Sequence, residues 1–360
     1  MFRAIGKSLA VLPILVVLIA VTTNVAGAQT DELSPVSARR KVIMSMVLDR
    51  SGSMTTDGGE AAIQSAVPTF ITLFNNSFDE VALLSFSSNA RIDVPIGHNF
   101  IVPIESAVAS MEFSGGTFGT GGGNKPILSP AIGAPMSLAD LQNNNVVVPP
   151  GQKISKVLVY FTDGLMNAVQ DNFYCGTSAP NVLINYGGYD TGTTVGFLDP
   201  TCSPDPSGNG CTNESGHLSE WGECNNGCPN GFPYDANGDI CKNAQGQFVT
   251  TFLSQQTGEQ TAFTRANVTG ESMYRAIYTA NAMRIESPVP TYIYTIGLGE
   301  SISPQTQAFL AQLANDPRYP TYIPSQPAGE FFDIPNCPSP TCTAELTAAF
   351  EAIASKLLPR

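Results

Sequence analysis

Residues 42–53 read VIMSMVLDRSGS. Residues 42–48 are apolar or small with almost no alternation, the pattern of a strand covered on both faces, as in a parallel sheet. Asp49-Arg50-Ser51-Gly52-Ser53 then breaks the run with turn-forming residues, three of them carrying side-chain oxygens at alternate positions. The same kind of run recurs at 81–86 (VALLSF), 156–161 (KVLVYF) and 291–296 (TYIYTI), with a shorter strand at 91–96 expected at a sheet edge. Between these runs, apolar residues at helical spacing predict helices over 60–74, 100–111, 126–141, 271–286, 305–314 and 344–358. Pro68 falls inside the first of these and is expected to kink it. Strands alternating with helices specify an α/β fold with a doubly wound, mostly parallel sheet flanked by helices. Such sheets bind ligands beyond the carboxyl ends of their strands, where the strand order reverses. Asp49 and Asp163 each directly follow a buried strand.

Residues 165–262 differ in character. They hold six cysteines, the single Trp221 and many Gly, Asn and Pro residues, without sustained periodicity. This stretch is expected to be one long insertion and not an independent domain. The chain thus divides into an export segment (1–28), a polar linker (29–41) and one domain (42–360) interrupted at 165–262. The cysteines are Cys175, Cys202, Cys211, Cys224, Cys228, Cys241, Cys337 and Cys342. An even count in an exported chain favours disulfides, with the last two as a C-terminal pair. Zinc is the rival at Cys224 and Cys228, spaced Cys-x3-Cys.

The export reading rests on Arg3 and Lys7, the apolar run at 9–21 and the small residues Ala26-Gly27-Ala28. An uncleaved N-terminal anchor is the rival. Either way the rest of the chain is expected outside the cytoplasm, secreted or anchored at the cell envelope. Only 13% of residues are charged, but acids outnumber bases and the net charge is −13. Such a surface repels phosphate backbones, which argues against nucleic acid as a partner.

The sharpest chemistry lies in Asp49, Ser51 and Ser53. Gly52 lets the chain turn tightly enough for the two hydroxyls to converge with the carboxylate. Hard cations such as Mg²⁺ take oxygen ligands in near-octahedral geometry and keep some waters. Mn²⁺ and Ca²⁺ are the alternatives. A site of two hydroxyls and one or two carboxylates leaves the ion positively charged, with a position for an incoming carboxylate. The bland readings are that Asp49 and Ser53 cap the next helix and that Asp163-Gly164 is an ordinary turn.

Asp49-x-Ser51-x-Ser53 after its strand resembles the metal-ion-dependent adhesion site of von Willebrand factor A (VWA) domains. Ser114-Gly115-Gly116-Thr117 resembles that family's Gly-Gly-Thr loop, and Phe161-Thr162-Asp163-Gly164 its Thr-Asp-Gly turn. The resemblance implies Thr117 and Asp163 as further ligands, with Thr120 a rival to Thr117. It also implies a protein partner that presents an acidic side chain to the ion. More narrowly, residues 48–54, the cysteine-bearing insertion, residues 294–299 and residues 314–317 resemble the TadG-like VWA proteins of tight-adherence pilus systems. Those proteins carry a longer N-terminal region than this sequence shows.

Three functions follow as expectations. The first is a metal-dependent adhesion or interaction module, in pilus assembly or surface attachment. The second is a structural envelope or pilus component whose metal stabilises the fold. The third, a metal-dependent hydrolase, lacks support, since no Gly-x-Ser-x-Gly elbow, phosphate-binding loop or paired histidines occur. Asp235-x-Asn237-x-Asp239 starts like a calcium loop, but Ile240 stands where that loop needs Gly and Gly246 where it needs Glu. His98 and His217 have no recognisable metal or catalytic context. Asn75, Asn213 and Asn267 begin glycosylation triplets, relevant only in a glycosylating host.

Overall fold

The computed structural model describes residues 40–51, 53–56, 58–86, 90–113, 148–164, 251–262, 265–299 and 302–358, together with four short strands between 168 and 234. Six strands form the central sheet: β1 (Lys41–Asp49), β2 (Glu80–Phe86), β3 (Ala90–Val94), β4 (Ile154–Thr162), β5 (Thr291–Leu298) and β6 (Glu330–Ile334). Their order is β3-β2-β1-β4-β5-β6. All neighbouring pairs are parallel except β2 with β3. From β1 the chain winds outward to β3, then returns to the other side of β1 to lay down β4, β5 and β6. The order therefore reverses between β1 and β4. This is the expected doubly wound sheet, with the short third strand at an antiparallel edge.

Helices cover both faces: α1 (Gly59–Ile71), α2 (Ile101–Ala109), α3 (Arg265–Arg284), α4 (Pro304–Ala314) and α5 (Cys342–Leu357). Alternate residues of β1 separate two cores. Val42, Met44, Met46 and Leu48 join the core beneath α1, α2 and α5, while Ile43 and Val47 join the core beneath α3 and α4. With both faces buried there is no polar alternation to keep, so the strand sequence reads as a continuous apolar run. Each such side chain contributes about 1.5–3 kcal/mol by leaving water. Phe70 of α1 stacks on Phe350 of α5, with ring centroids 4.3 Å apart. Pro68 sits one turn before the end of α1, and the helix continues through it to Ile71.

The loop after β1 is held from above. Its residue Gly58, at φ 72°, lies against Pro338, and a Cβ there would come within 2.4 Å of that proline. Pro338 belongs to the loop closed by the Cys337–Cys342 disulfide, the pair expected at the C-terminus. The other six cysteines lie outside the described residues, as do the helix expected over 126–141 and the export segment. No helix among the described residues is long and apolar enough to cross a membrane.

The structure departs from expectation in three places. β6 was not anticipated: only Phe331 and Ile334 of its EFFDI sequence are buried. α3 begins six residues earlier than the apolar periodicity, through the polar stretch RANVTG. The insertion carries strands of its own: Ala168–Asp171, Val182–Asn185, Thr194–Leu198 and Phe232–Tyr234 form a separate four-stranded sheet. Its return leg is a hairpin of Thr251–Leu253 and Gln260–Ala262. That hairpin is pinned to α3 by Glu271, which accepts from the Ser254 hydroxyl, the Gln255 amide and Arg275 Nε, each at 2.7 Å.

Asp316 fixes the far edge of the sheet. Its buried carboxylate accepts the Phe331 amide at 2.9 Å and the Arg318 amide at 2.9 Å, and pairs with the Arg318 guanidinium. Burial raises its pKa, but the hydrogen bonds from Arg318 and Phe331 outweigh burial and the net direction is down. A lowered carboxyl pKa stabilises the fold above the unfolded value of about 3.9, and that contribution is lost as pH falls through the folded value. Asp316→Asn is therefore expected to cost about 1.5–3 kcal/mol at pH 7. Urea titrations from pH 7 to pH 2 should show the wild-type advantage shrinking in acid, and a constant difference would refute this role for the charge.

Candidate metal centre

The sheet topology places the carboxyl ends of β1 and β4 side by side, and those ends carry Asp49 and Asp163. Asp49 closes β1 and is fully buried. Its Oδ1 accepts the Ser51 amide at 2.8 Å, and its Oδ2 accepts the Thr162 hydroxyl at 2.7 Å. The first bond folds the chain back two residues after the strand, and the second ties β1 to β4. Thr162 also accepts the Gly164 amide at 3.2 Å, so one threonine organises the Asp163 turn and anchors Asp49.

The helix-cap reading of Asp49 and Ser53 is not what forms. A single helical turn, Ser53–Thr56, begins at Ser53 itself, and α1 starts after Gly58 without a side-chain cap. Met54 buries completely in the core and holds that turn down. The Ser51 and Ser53 hydroxyls then stand 3.1 Å apart. Adjacent ligands at about 2.1 Å from an octahedral Mg²⁺ would be separated by about 3 Å, so this spacing fits such an ion.

Burial pushes the Asp49 carboxyl pKa up. Hydrogen bonds from Ser51, Thr162 and the Asp163 amide pull it back, and the net direction remains upward. The charged carboxylate is thus under-compensated by the protein alone, a deficit that a bound cation would remove. Asp49, Ser51 and Ser53 lie in one turn, and the Asp163 backbone reaches Asp49 from the end of β4. Thr117 and its rival Thr120 lie outside the described residues.

Three further residues escaped the sequence reading. Thr162 was read as part of a turn, yet it bonds Asp49 directly. Arg50 donates its amide to Phe86 O at 2.9 Å and lies among the charges of Arg91, Asp93, Asp49 and Glu112. Burial first, and then Arg91, lower its pKa. Tyr160 stacks on Phe86 with centroids 5.5 Å apart. The available signal was position: Tyr160 and Thr162 are two apart on one strand, so their side chains share a face.

Elsewhere, His98 Nδ1 lies 2.9 Å from the Asp79 carbonyl, and its Nε2 is 3.4 Å from Glu80, which also pairs with Lys41. That places it at the opposite, amino end of β2. The calcium-loop-like residues 235–240 lie outside the described residues.

No protein-family model matches the sequence, and no curated protein matches it. Solved structures do show similarity. The pilus adhesin SpaC of Lactobacillus rhamnosus GG, in its open conformation, is 16% identical over 88% of this chain and 30% of its own, at a TM-score of 0.43. The von Willebrand factor domain of the type V pilus tip protein of Porphyromonas gingivalis is 13% identical over 89% of this chain and 97% of its own, at 0.46. A von Willebrand factor type A protein of Catenulispora acidiphila is 12% identical over 88% of this chain and 42% of its own, at 0.39. The chain therefore spans 30% of the adhesin's length.

Two measurements probe the Asp49 environment. Thr162→Val removes a donor from a buried carboxylate and should cost about 1–3 kcal/mol in urea unfolding at pH 7. Asp49→Asn should act the other way in EDTA. An acid whose folded pKa is raised penalises the fold above the unfolded carboxyl value, and the penalty fades as pH falls below it. Metal-free Asp49→Asn should thus melt at or above wild type at pH 7, with the gap closing toward pH 3. A lower melting temperature at pH 7 would contradict the under-compensated charge.

Proposed function

We propose that this protein is an extracytoplasmic adhesion or interaction module that holds one divalent cation, Mg²⁺ foremost and Mn²⁺ or Ca²⁺ as alternatives. Through that cation it engages an acidic side chain of a partner protein. The observation that carries the reading is the turn at the sheet's switch point, where the Ser51 and Ser53 hydroxyls stand 3.1 Å apart and Thr162, beside Asp163, bonds Asp49 across 113 residues of sequence. In this reading Asp49, Ser51, Ser53, Thr117 and Asp163 hold the ion. The ion supplies Lewis acidity toward a guest carboxylate. Thr162 keeps Asp49 in place, and the Asp49 and Ser51 hydrogen bonds fix the loop so that little ordering remains to be done on binding.

The role proposed is binding, not catalysis. Its setting, at a pilus or another part of the cell surface, rests on the sequence resemblance to TadG-like proteins. A structural envelope component would use the same residues to stabilise the fold only.

The test has two stages. Melting of the purified protein with Mg²⁺, Mn²⁺ or Ca²⁺ at 100 times the dissociation constant should gain about 2.7 kcal/mol of stability over EDTA. Asp49→Ala and Asp163→Ala should gain nothing. Equal curves for wild type with and without each metal would end the proposal. Affinity capture of surface partners with and without EDTA then separates adhesion, which chelator abolishes, from a structural metal, which leaves capture intact in a still-folded protein.

A further inference from the structure

Tyr160 is a buried group at this site that the cation reading leaves without a role. It is 0% exposed, and its hydroxyl makes no hydrogen bond of normal geometry among the described residues. An unsatisfied buried hydroxyl costs about 1–3 kcal/mol and calls for a reason. The register shows where the ring lies. Tyr160 pairs with Val47 across the β1–β4 ladder, and Phe86 pairs with Asp49 across the β1–β2 ladder. Tyr160 and Phe86 thus sit on opposite sides of β1, yet their rings stack at 5.5 Å and 7°. The two rings meet over β1, at the level of Val47 and Asp49. Burial is the main influence raising the phenol pKa, the charge of Asp49 and then that of Asp163 add to it, and a contact with the Thr162 hydroxyl opposes them.

Among the described residues, the other buried hydroxyls without a hydrogen-bond partner are Ser45 and Thr291. Ser45 lies mid-strand in β1 and Thr291 opens β5, both away from the carboxyl ends. Both are small aliphatic hydroxyls. Tyr160 alone of the three adjoins the candidate ligands. Its neighbour Thr162 already donates to Asp49 and accepts from Gly164.

We propose that Tyr160 is a positioning residue of the cation site, its hydroxyl holding a cation-bound water beside Asp49. This rests on the cation reading above. Mg²⁺ retains several waters when protein-bound, and groups that orient a metal's ligands from behind commonly set affinity by 10–100-fold. A phenol fits that task because it can donate or accept while its ring excludes bulk solvent.

Tyr160→Phe keeps the ring and removes only the oxygen. Isothermal titration with Mg²⁺ and with Mn²⁺ should show affinity weakened about 10–100-fold relative to wild type. Metal-free melting in EDTA should be unchanged or higher, because an unsatisfied polar group has been removed. Wild type should also give a tyrosine ultraviolet difference spectrum on adding Mg²⁺ that is lost in Tyr160→Phe at saturating metal. Equal affinities in the two proteins would overturn the proposal while leaving the cation site standing. A lower metal-free melting temperature in Tyr160→Phe would also overturn it, by showing that the hydroxyl is already satisfied in the empty fold. Absence of binding to wild type would remove both the site and this role for Tyr160.

Discussion

A carboxylate taken wholly out of water at the end of β1 constrains everything around it. Even after relaxation, burying an ion costs several kcal/mol. The Ser51 amide and the Thr162 hydroxyl offset much of this, since hydrogen bonds to charged groups contribute about 1.5–3 kcal/mol each. Burial outweighs these bonds in setting the Asp49 pKa, whose net direction is up. A fold that keeps such a group carries a local cost that a cation would relieve, and it relieves it only if the ion binds where Asp49 already points. A bound cation would therefore link binding to stability through one side chain.

That linkage depends on topology. A strand order that reverses between β1 and β4 leaves a crevice at their carboxyl ends. Asp49 and Thr162 lie 113 positions apart in sequence, yet they share a hydrogen bond because their strands are neighbours. The two hydrophobic cores hold the strands in that register. Slipping β1 by one residue would exchange Met46 and Leu48 for Val47 and turn Asp49 toward the wrong core. Core packing thus sets the geometry of the polar site. The disulfide loop against Gly58 adds a second restraint on the segment that carries Ser51 and Ser53.

Much of this was legible in the sequence, for a physical reason. Strands buried on both faces must be apolar throughout, so β1, β2, β4 and β5 announce themselves without alternation. The Asp49, Ser51 and Ser53 donors occupy one short turn, so their spacing is local information. β6 was hidden because an edge strand buries only one side: Phe331 and Ile334 face inward while Asp333 stays exposed, with Pro327 and Pro335 nearby. The first turns of α3 run through Gly270, whose helix preference is weak, so local periodicity did not report them. Thr162 and Tyr160 were missed at the site because their roles come from pairing with a distant strand. No spacing along the chain reports that a phenol on β4 will reach across β1 to Phe86.

The charge balance adds a last step. With a net charge of −13, the molecule as a whole repels the acidic partner that the proposed reading requires. Long-range attraction cannot bring the two together. At physiological salt, however, charges separated by more than about 8 Å are largely screened. What matters at contact is the field within one such length of the site. There Arg50, Arg91 and a bound divalent ion would supply positive charge, against Asp49, Asp93 and Glu112. On this reading the encounter is not electrostatically steered, so association should be ordinary in rate and only weakly dependent on salt. Specificity then resides in direct coordination at one ion, which is why the precise seating of the Asp49 carboxylate counts for more than the charge of the surface around it.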